Sequence, residues 1–482
     1  MTIAFLGLDV GTSSAKVVAV GRDGRRIADA STPYPTHVDE AAAEQDARQW
    51  WEAVVASARR VTAGLDIRAI AVTSQAPTLV AIDADGNPTG PALTWLDRRA
   101  TAEAQRIAEI APHSRNGADA FFGTAKLLWW AEHRPEVLER ASAIVSTNGA
   151  IVRRLTGIAI LDDTTASLMQ GFDEELGDFP PVLRAAVPAL GLLAPIVPAD
   201  RVVGELLAGP AVQLGISPGI PVVAGGIDAI GSALEAGALA PGDPLVEMTG
   251  FSSVTMLAVP RGTAVPGFIH SRHCLPGTDL LITAQVSAGA AIDWVNGLDP
   301  TRDHRDAAEI LGRPRPGRVT MVPSLAGERT PTWNAAARGV ISGIDLATDV
   351  TDLMLAVMEG NSFALARDLD AMRDAGFAVD HLLSTGGGAS SDAWLQVKAD
   401  VLGIPVVRPA AGHGAAQGAA YLAARAIGDF GDVEELRALA GGVEAEFHPD
   451  PRRHELYRAA AERFAAAASL NGGAEDVAVT TR

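Results

Sequence analysis

Two apolar runs, residues 3–8 and 16–20, flank the polar, glycine-containing stretch DVGTSS, and Asp23-Gly24 follows where a tight turn would fall. The chain therefore opens with a β-hairpin or meander. Ile70–Ser74 and Leu79–Ile82 repeat the strand pattern, and Asp85-Gly86 closes the second. Ahead of them, residues 44–62 (EQDARQWWEAVVASARRVT) carry apolar positions at helical spacing. Strands followed by crossing helices predict an α/β domain.

Helical segments continue through residues 126–155, and a proline-rich region occupies 179–221. A buried strand, Ile220–Ala224, ends in Gly225-Gly226. Ile227 and Asp228 then lead into a small-residue helix, AIGSALEAGALA, which Pro241-Gly242 stops. The first domain is expected to end there, giving 1–240, 241–430 and a terminal region 431–482. Gly250 to Val259 (GFSSVTMLAV) lies over Gly11 to Val20 (GTSSAKVVAV) with the glycine, both serines, the alanine and the last valine in register. This predicts a duplicated hairpin, one per domain; the alternative is two unrelated strands with glycine turns. Asp352–Gly376 and residues 391–402 and 414–425 read as helices, Leu382–Ser384 as a strand, Gly386–Gly388 as a tight loop, and NGGAEDVAVTTR as a frayed tail.

A length of 482 residues exceeds one ordinary core, so two large domains are expected, with ligands between them. Hydrophobic content of 48% with 20% charged residues is that of a folded protein. A net charge of −19 argues against nucleic-acid and anionic-membrane partners, which select basic surfaces. Cys274 is the only cysteine, so an intrachain disulfide and a thiolate metal cluster are excluded; a reducing, cytoplasmic compartment fits, and the thiol is expected in the core. The N-terminus reaches Asp9 before a long apolar stretch forms, and the longest uncharged run, Leu206–Ile227, contains three prolines and five glycines. Neither reads as a signal peptide or a membrane span.

Gly11–Ser14, Gly250–Ser253 and Gly386–Gly388 are glycine-rich turns after strands, able to wrap a polyphosphate with backbone N–H groups. The P-loop pattern GxxxxGK[ST] and the protein-kinase loops are absent. Asp9, at a strand end before Gly11-Thr12, could hold Mg²⁺ beside phosphates or serve its own turn. Lys16 could reach a phosphate or be solvated. Asp228 stands at a strand-to-helix junction, where either a base or a helix N-cap belongs.

Taken together, these motifs resemble the FGGY carbohydrate kinases over about Ile3 to Ala424. Residues 339–359, GVISGIDLATDVTDLMLAVME, satisfy the C-terminal signature of that family. In FFGTAKLLWWAEH, Lys126, Leu127, Trp129, Glu132 and His133 fit the N-terminal signature, while Gly123 and Trp130 depart from it. LDVGTSSAK at 8–16, WLDRRA at 95–100, RLTG at 154–157, VVAGGIDAIGSAL at 222–234, GERTP at 327–331 and GGGASSDAWLQVKADVLGIPV at 386–406 fall in the family's order. The resemblance implies an α/β fold of two ribonuclease-H-like domains, of the actin, heat-shock-chaperone and hexokinase type, flanking a cleft. Sugar would bind mainly to the first and ATP to the second.

By the same resemblance, Asp228 is the catalytic aspartate and Asp9 belongs to the first phosphate loop, where phosphoryl-transfer chemistry assigns it Mg²⁺ as a charge clamp. Gly11, Thr12 and Lys16 form the first phosphate loop, and Gly250, Ser252 and Ser253 the second, where Phe251 replaces a more familiar threonine or serine. Gly387, Gly388, Ser391 and Gln396 correspond to the adenosine-side segment; Arg329 and Thr330 resemble a cleft-facing element. A carboxylate can accept the proton of a poorly nucleophilic hydroxyl, while phosphoryl transfer asks mostly for alignment and charge neutralisation.

The acceptor is less defined. SQAPTLVAIDADG at 74–86 resembles the xylulokinase segment and keeps Gln75, but Ala76 and Pro77 replace its Met-His pair. Trp95 could stack on a sugar face and Asp97 accept hydroxyl bonds; Asp97 could instead pair with Arg98 or Arg99. A W-x-D-R-R element like residues 95–99 also occurs in glycerol-kinase-like sequences, which keeps polyols such as tetritols open. A nucleotide-dependent binding protein is one rival class, against which Asp228 and the C-terminal signature count; a sugar-sensing pseudokinase is the other, to which Phe251 and the altered sugar pocket lend weight. A homodimer is compatible with the resemblance.

Overall fold

A computed structural model of the chain describes residues 1–410, 414–439 and 442–472. The chain forms two units. The first comprises Met1–Asp243, Ala258–Leu281 and His413–Gly441; the second comprises Pro244–Leu257, Ile282–Gly412 and Gly442–Arg482. The first unit is thus not the continuous stretch to residue 240 that the sequence suggested, because two later segments return to it. One carries the helix Ala415–Ala426, which the sequence placed in the second domain. A Cβ at Gly7 would stand 1.8 Å from Ala416 O, and one at Gly418 equally close to Gly231 O. Only glycines let this helix lie against the strand Thr2–Val10 and the helix Asp228–Ala236. The expected tail, residues 471–482, lies almost wholly outside the described residues.

The sheet of the first unit runs in the order Val202–Glu205, Pro221–Ile227, Leu65–Ser74, Thr2–Val10, Ser14–Val20, Arg26–Pro33. Thr2–Val10 is antiparallel to Ser14–Val20 and parallel to Leu65–Ser74, which is parallel to Pro221–Ile227. The helix expected over 44–62 spans Ala47–Val61, starts at the Asp46 N-cap, and buries Trp50, Ala53, Val54, Ser57, Ala58 and Val61. That spacing puts them on one face, against the sheet core of Leu6, Leu8, Val17 and Val72. Residues 126–155 are not continuously helical: Ala143–Ser146 is a strand pairing with Leu79–Ile82, flanked by the helices Gly123–His133 and Thr147–Thr156. The run AIVS has a strand partner, and cross-strand pairing outweighs the helical setting.

A second sheet contains, in order, Thr278–Gln285, Ser253–Pro260, Leu245–Thr249, Leu382–Thr385, Val406–Pro409 and Val443–Phe447. Leu245–Thr249 is antiparallel to Ser253–Pro260 and parallel to Leu382–Thr385. This repeats the pairing of Thr2–Val10 with its two neighbours. The two sequences GTSS and GFSS occupy the same turn of the same hairpin, so the duplication reading stands. The long helix Val350–Asp374 opens with a capping box, in which Asp349 and Asp352 each bond the other's backbone. No helix among the described residues is long and apolar enough to cross a membrane.

Candidate active site

Three parallel strands of the first unit end together, with Asp9 beside Thr73 and Thr73 beside Gly226. Ligands of open α/β sheets gather at such carboxyl ends. Gly225 makes the last strand possible: its φ is +67°, and a Cβ there would fall 1.7 Å from Val72 O. Gly226 leaves room for the Thr164 hydroxyl, which accepts the Ile227 N–H at 3.0 Å. The helix then begins at Asp228, with Ile227 and not Asp228 as its N-cap. The capping alternative raised by the sequence is therefore resolved against. The helix also stops at Gly237, whose φ of +87° ends it before Pro241.

Asp9 Oδ1 accepts the Thr73 hydroxyl at 3.2 Å, and Lys16 is its cross-strand neighbour. Burial first, then the nearby Asp228 charge, push Asp9 up to about 7, against the pull of Thr73 and Lys16. Two carboxylates repelling each other at a strand edge form an oxygen donor set that a divalent cation would relieve, so these residues fit Mg²⁺. The turn that follows is closed by Gly11 N–H donating to Ser14 O at 3.0 Å. The Tyr34 hydroxyl donates to Gly11 O, and Thr12 O accepts from Thr36 and Gln45. The loop predicted to cradle phosphate is held from behind.

Of the sugar-side candidates, Trp95 donates its indole N–H to the Thr12 hydroxyl at 2.9 Å and meets Phe121 edge-on. It joins the sugar-side and phosphate-side sets. Gln75 follows the strand end, donating its backbone N–H to Val10 O and its amide to Gln45 Oε1 at 2.6 Å. Its own Oε1 is buried and has no hydrogen-bond partner among the described residues, an acceptor left over at this edge. Asp97 serves elsewhere. Its Oδ2 accepts the Ala43 N–H, and both oxygens accept from Arg99, which also bridges to Glu44. The carboxylate proposed for sugar hydroxyls is used in this ion pair.

In the second unit, a cavity of about 670 Å³ is lined by Thr385, Gly386, Ser391, Arg305, Arg408 and Glu444, among others. That volume suits a nucleotide-sized ligand. Ser391 caps the helix Asp392–Leu402 by accepting the Trp394 N–H. Gly387 and Gly388 form the short turn between strand and helix. Gln396 is not brought to the cavity lining: its amide donates to Asp400 Oδ1 and His448 O, each at 3.0 Å. In the other glycine turn, Gly250 and Ser252 close the hairpin through a 2.8 Å backbone bond, and Phe251 points outward, 73% exposed. The Ser253 hydroxyl is buried and donates to Glu247, so only its backbone faces the turn. Arg329 and Thr330 are buried, with Thr330 bonded to Ala284.

Sequence reasoning missed Thr73, Gln45 and the cavity-lining Arg305, Arg408 and Glu444, which lie outside any glycine motif. It also missed the helix Ala288–Asn296, whose Gly289 packs on Gly250 O and whose Ala290 N–H donates to Phe251 O. Cys274 is buried as expected, its thiol pushed up by burial. Glu103, Glu132 and His133 lie close enough to share a cation, but Arg106 already pairs with both glutamates.

Residues 4–234 match the FGGY family of carbohydrate kinases, N-terminal domain, and residues 248–427 match its C-terminal domain. A xylulose kinase of Staphylococcus epidermidis is 27% identical over 94% of this chain and 94% of its own. A glycerol kinase of Trichlorobacter lovleyi is 31% identical over 94% of this chain and 95% of its own. The crystal structure of a xylulose kinase from Rhodospirillum rubrum superposes with a TM-score of 0.86 at 27% identity, covering 97% of this chain and 98% of that one.

Proposed function

Because the chain belongs to the FGGY family of carbohydrate kinases, we propose that it transfers the terminal phosphoryl group of ATP to a hydroxyl of a ketopentose of the xylulose type, with Asp228 as general base. The observation that carries the assignment is the position of Asp228: first residue of a helix at the carboxyl ends of parallel strands, beside Asp9 and not serving as a cap. Its carboxylate accepts the proton as the hydroxyl oxygen bonds to phosphorus. Gln75 Oε1 accepts a sugar hydroxyl, and Trp95 lays its ring against the sugar while fixing Thr12. In the first unit the Gly11–Ser14 turn and Lys16 offer N–H groups and charge to phosphate; in the second the Gly250–Ser253 turn offers N–H groups and the cavity at Gly386–Ser391 takes the nucleoside. Mg²⁺ held at Asp9 would neutralise phosphate charge; Asp9 must give up its proton to receive it.

Xylulose-kinase relatives and the retained Gln75 support the ketopentose. A polyol such as glycerol or a tetritol is the second reading, favoured by the 31% identity to a glycerol kinase and by Ala76 and Pro77 at the positions of a sugar-binding pair. Acceptor-dependent ADP release, measured over ketopentoses, hexuloses, tetritols and glycerol, separates them. Highest kcat/KM on a ketopentose is expected; highest on a polyol establishes the second reading, and no stimulation by any acceptor refutes both.

A further inference from the structure

Beneath the two glycine turns of the second unit lies a buried charge pair that no phosphate would touch. Lys398 Nζ stands 2.5 Å from Glu247 Oε2, with side-chain exposures of 1% and 3%. The remaining lone pairs of Glu247 are filled by hydroxyls: Ser384 on Oε2 at 2.8 Å, and Thr249 and Ser253 on Oε1 at 2.8 and 3.1 Å. Thr385 adds a bond to the Glu247 backbone carbonyl at 3.0 Å. Burial pushes the Glu247 carboxyl up, but Lys398 and the hydroxyls outweigh it and hold it below the usual carboxylate range. Lys398 also sits 4.5 Å over the Trp394 ring.

The partners are not scattered through a core. Thr249 and Ser253 bracket the turn containing Gly250, Phe251 and Ser252; Ser384 and Thr385 lead directly into Gly386–Gly388. The two turns also touch. A Cβ at Gly386 would lie 2.5 Å from Thr249 O, and one at Gly388 would lie 2.7 Å from Thr249 Cγ2 and 3.1 Å from Trp394. Thr249 and Ser253 from one turn and Ser384 from the other are tied to one carboxylate, and that carboxylate is fixed by Lys398. A buried ion pair contributes little stability compared with an apolar pair of equal volume, so its value lies in the geometry it imposes.

We propose that Glu247 and Lys398 are positioning residues for the nucleotide, locking the Gly250–Ser253 and Gly386–Gly388 turns into one rigid phosphate-and-nucleoside cradle. The inference rests on the reading that these turns bind ATP. It separates KM for ATP from KM for the acceptor, since the partners of the pair, Thr249, Ser253, Ser384, Thr385 and Trp394, belong to the two turns and the helix that follows them.

Thr249→Val removes one hydroxyl and leaves the ion pair; E247Q/K398M removes both charges together. Both variants are expected to keep a melting temperature near that of the parent, to raise KM for ATP roughly 5- to 20-fold, and to leave KM for the acceptor within twofold. Full-chain hydrogen exchange with and without ADP accompanies the kinetics, with ADP protecting residues 249–253 and 385–391 in the parent and less in the variants. Protection in the parent together with unchanged ATP affinity in both variants would overturn the positioning role while sparing the nucleotide reading. Absence of protection in the parent would overturn both. Equal loss of affinity for ATP and acceptor would reduce the pair to a structural one.

Discussion

Asp9→Asn should stabilise the nucleotide-free protein at alkaline pH while abolishing turnover. Burial and Asp228 raise Asp9 from 3.8 to about 7. Each unit corresponds to about 1.4 kcal/mol, so the charged carboxylate costs the fold at most ~4 kcal/mol. The folded-state value lies above the unfolded one. Between about pH 4 and 7 the native protein therefore holds a proton that the unfolded chain has lost, and stability falls with rising pH across that window, levelling off above it. At pH 8 the parent carries the whole penalty; at pH 5 it carries somewhat over a third of it. Asparagine is neutral at both pH values and can still accept the Thr73 hydroxyl. For a unit of roughly 300 residues, a bound of ~4 kcal/mol corresponds to at most about 6 °C. Differential scanning calorimetry in a chelator, without nucleotide, should show the variant melting up to about 6 °C higher at pH 8, with a gain little more than a third as large at pH 5. An equal gain at both pH values, or none at pH 8, would refute the carboxylate-repulsion argument.

Asp228→Asn should reduce kcat by roughly 10³- to 10⁴-fold with ATP binding retained, and should shrink the pH 5 to 8 stability loss because one cause of the Asp9 shift is gone. Near-normal turnover would remove Asp228 from the base role. Binding of Mg²⁺ and ADP at pH 6 should release a proton, read by calorimetry in buffers of different ionisation enthalpy; the release should vanish in Asp9→Asn. Gly225→Ala should destabilise by more than ~3 kcal/mol, since the left-handed backbone and the Val72 carbonyl both oppose a Cβ. A melting temperature within 2 °C of the parent would show that the strand end can shift.

How legible each feature was depended on the range of the interactions that made it. The amphipathic helix Ala47–Val61, the capped helix Val350–Asp374 and the glycine turns are set by residues a few positions apart, so periodicity and motif spacing exposed them. The strand Ala143–Ser146 was misread because its partner, Leu79–Ile82, is distant in sequence. Gln396 matched a motif yet turns toward His448, and Asp97 matched one yet belongs to Arg99; a match gives a residue's place on the backbone but not the rotamer its neighbours select.

The amino-acid sequence by itself suggested the repeated hairpin, placed Asp9 at a strand end and Asp228 at a strand-to-helix junction, and carried the resemblance to the kinase family. Local patterning and ordered motifs suffice for these. Only the tertiary structure decided that the helix Ala415–Ala426 returns to the first unit, that Asp228 is not its helix's cap, and that Glu247 and Lys398 meet beneath the nucleotide turns. Each of these depends on close approach between segments remote in sequence. Such contacts are selected by packing space and by the need to pair buried charge, and one-dimensional spacing records neither.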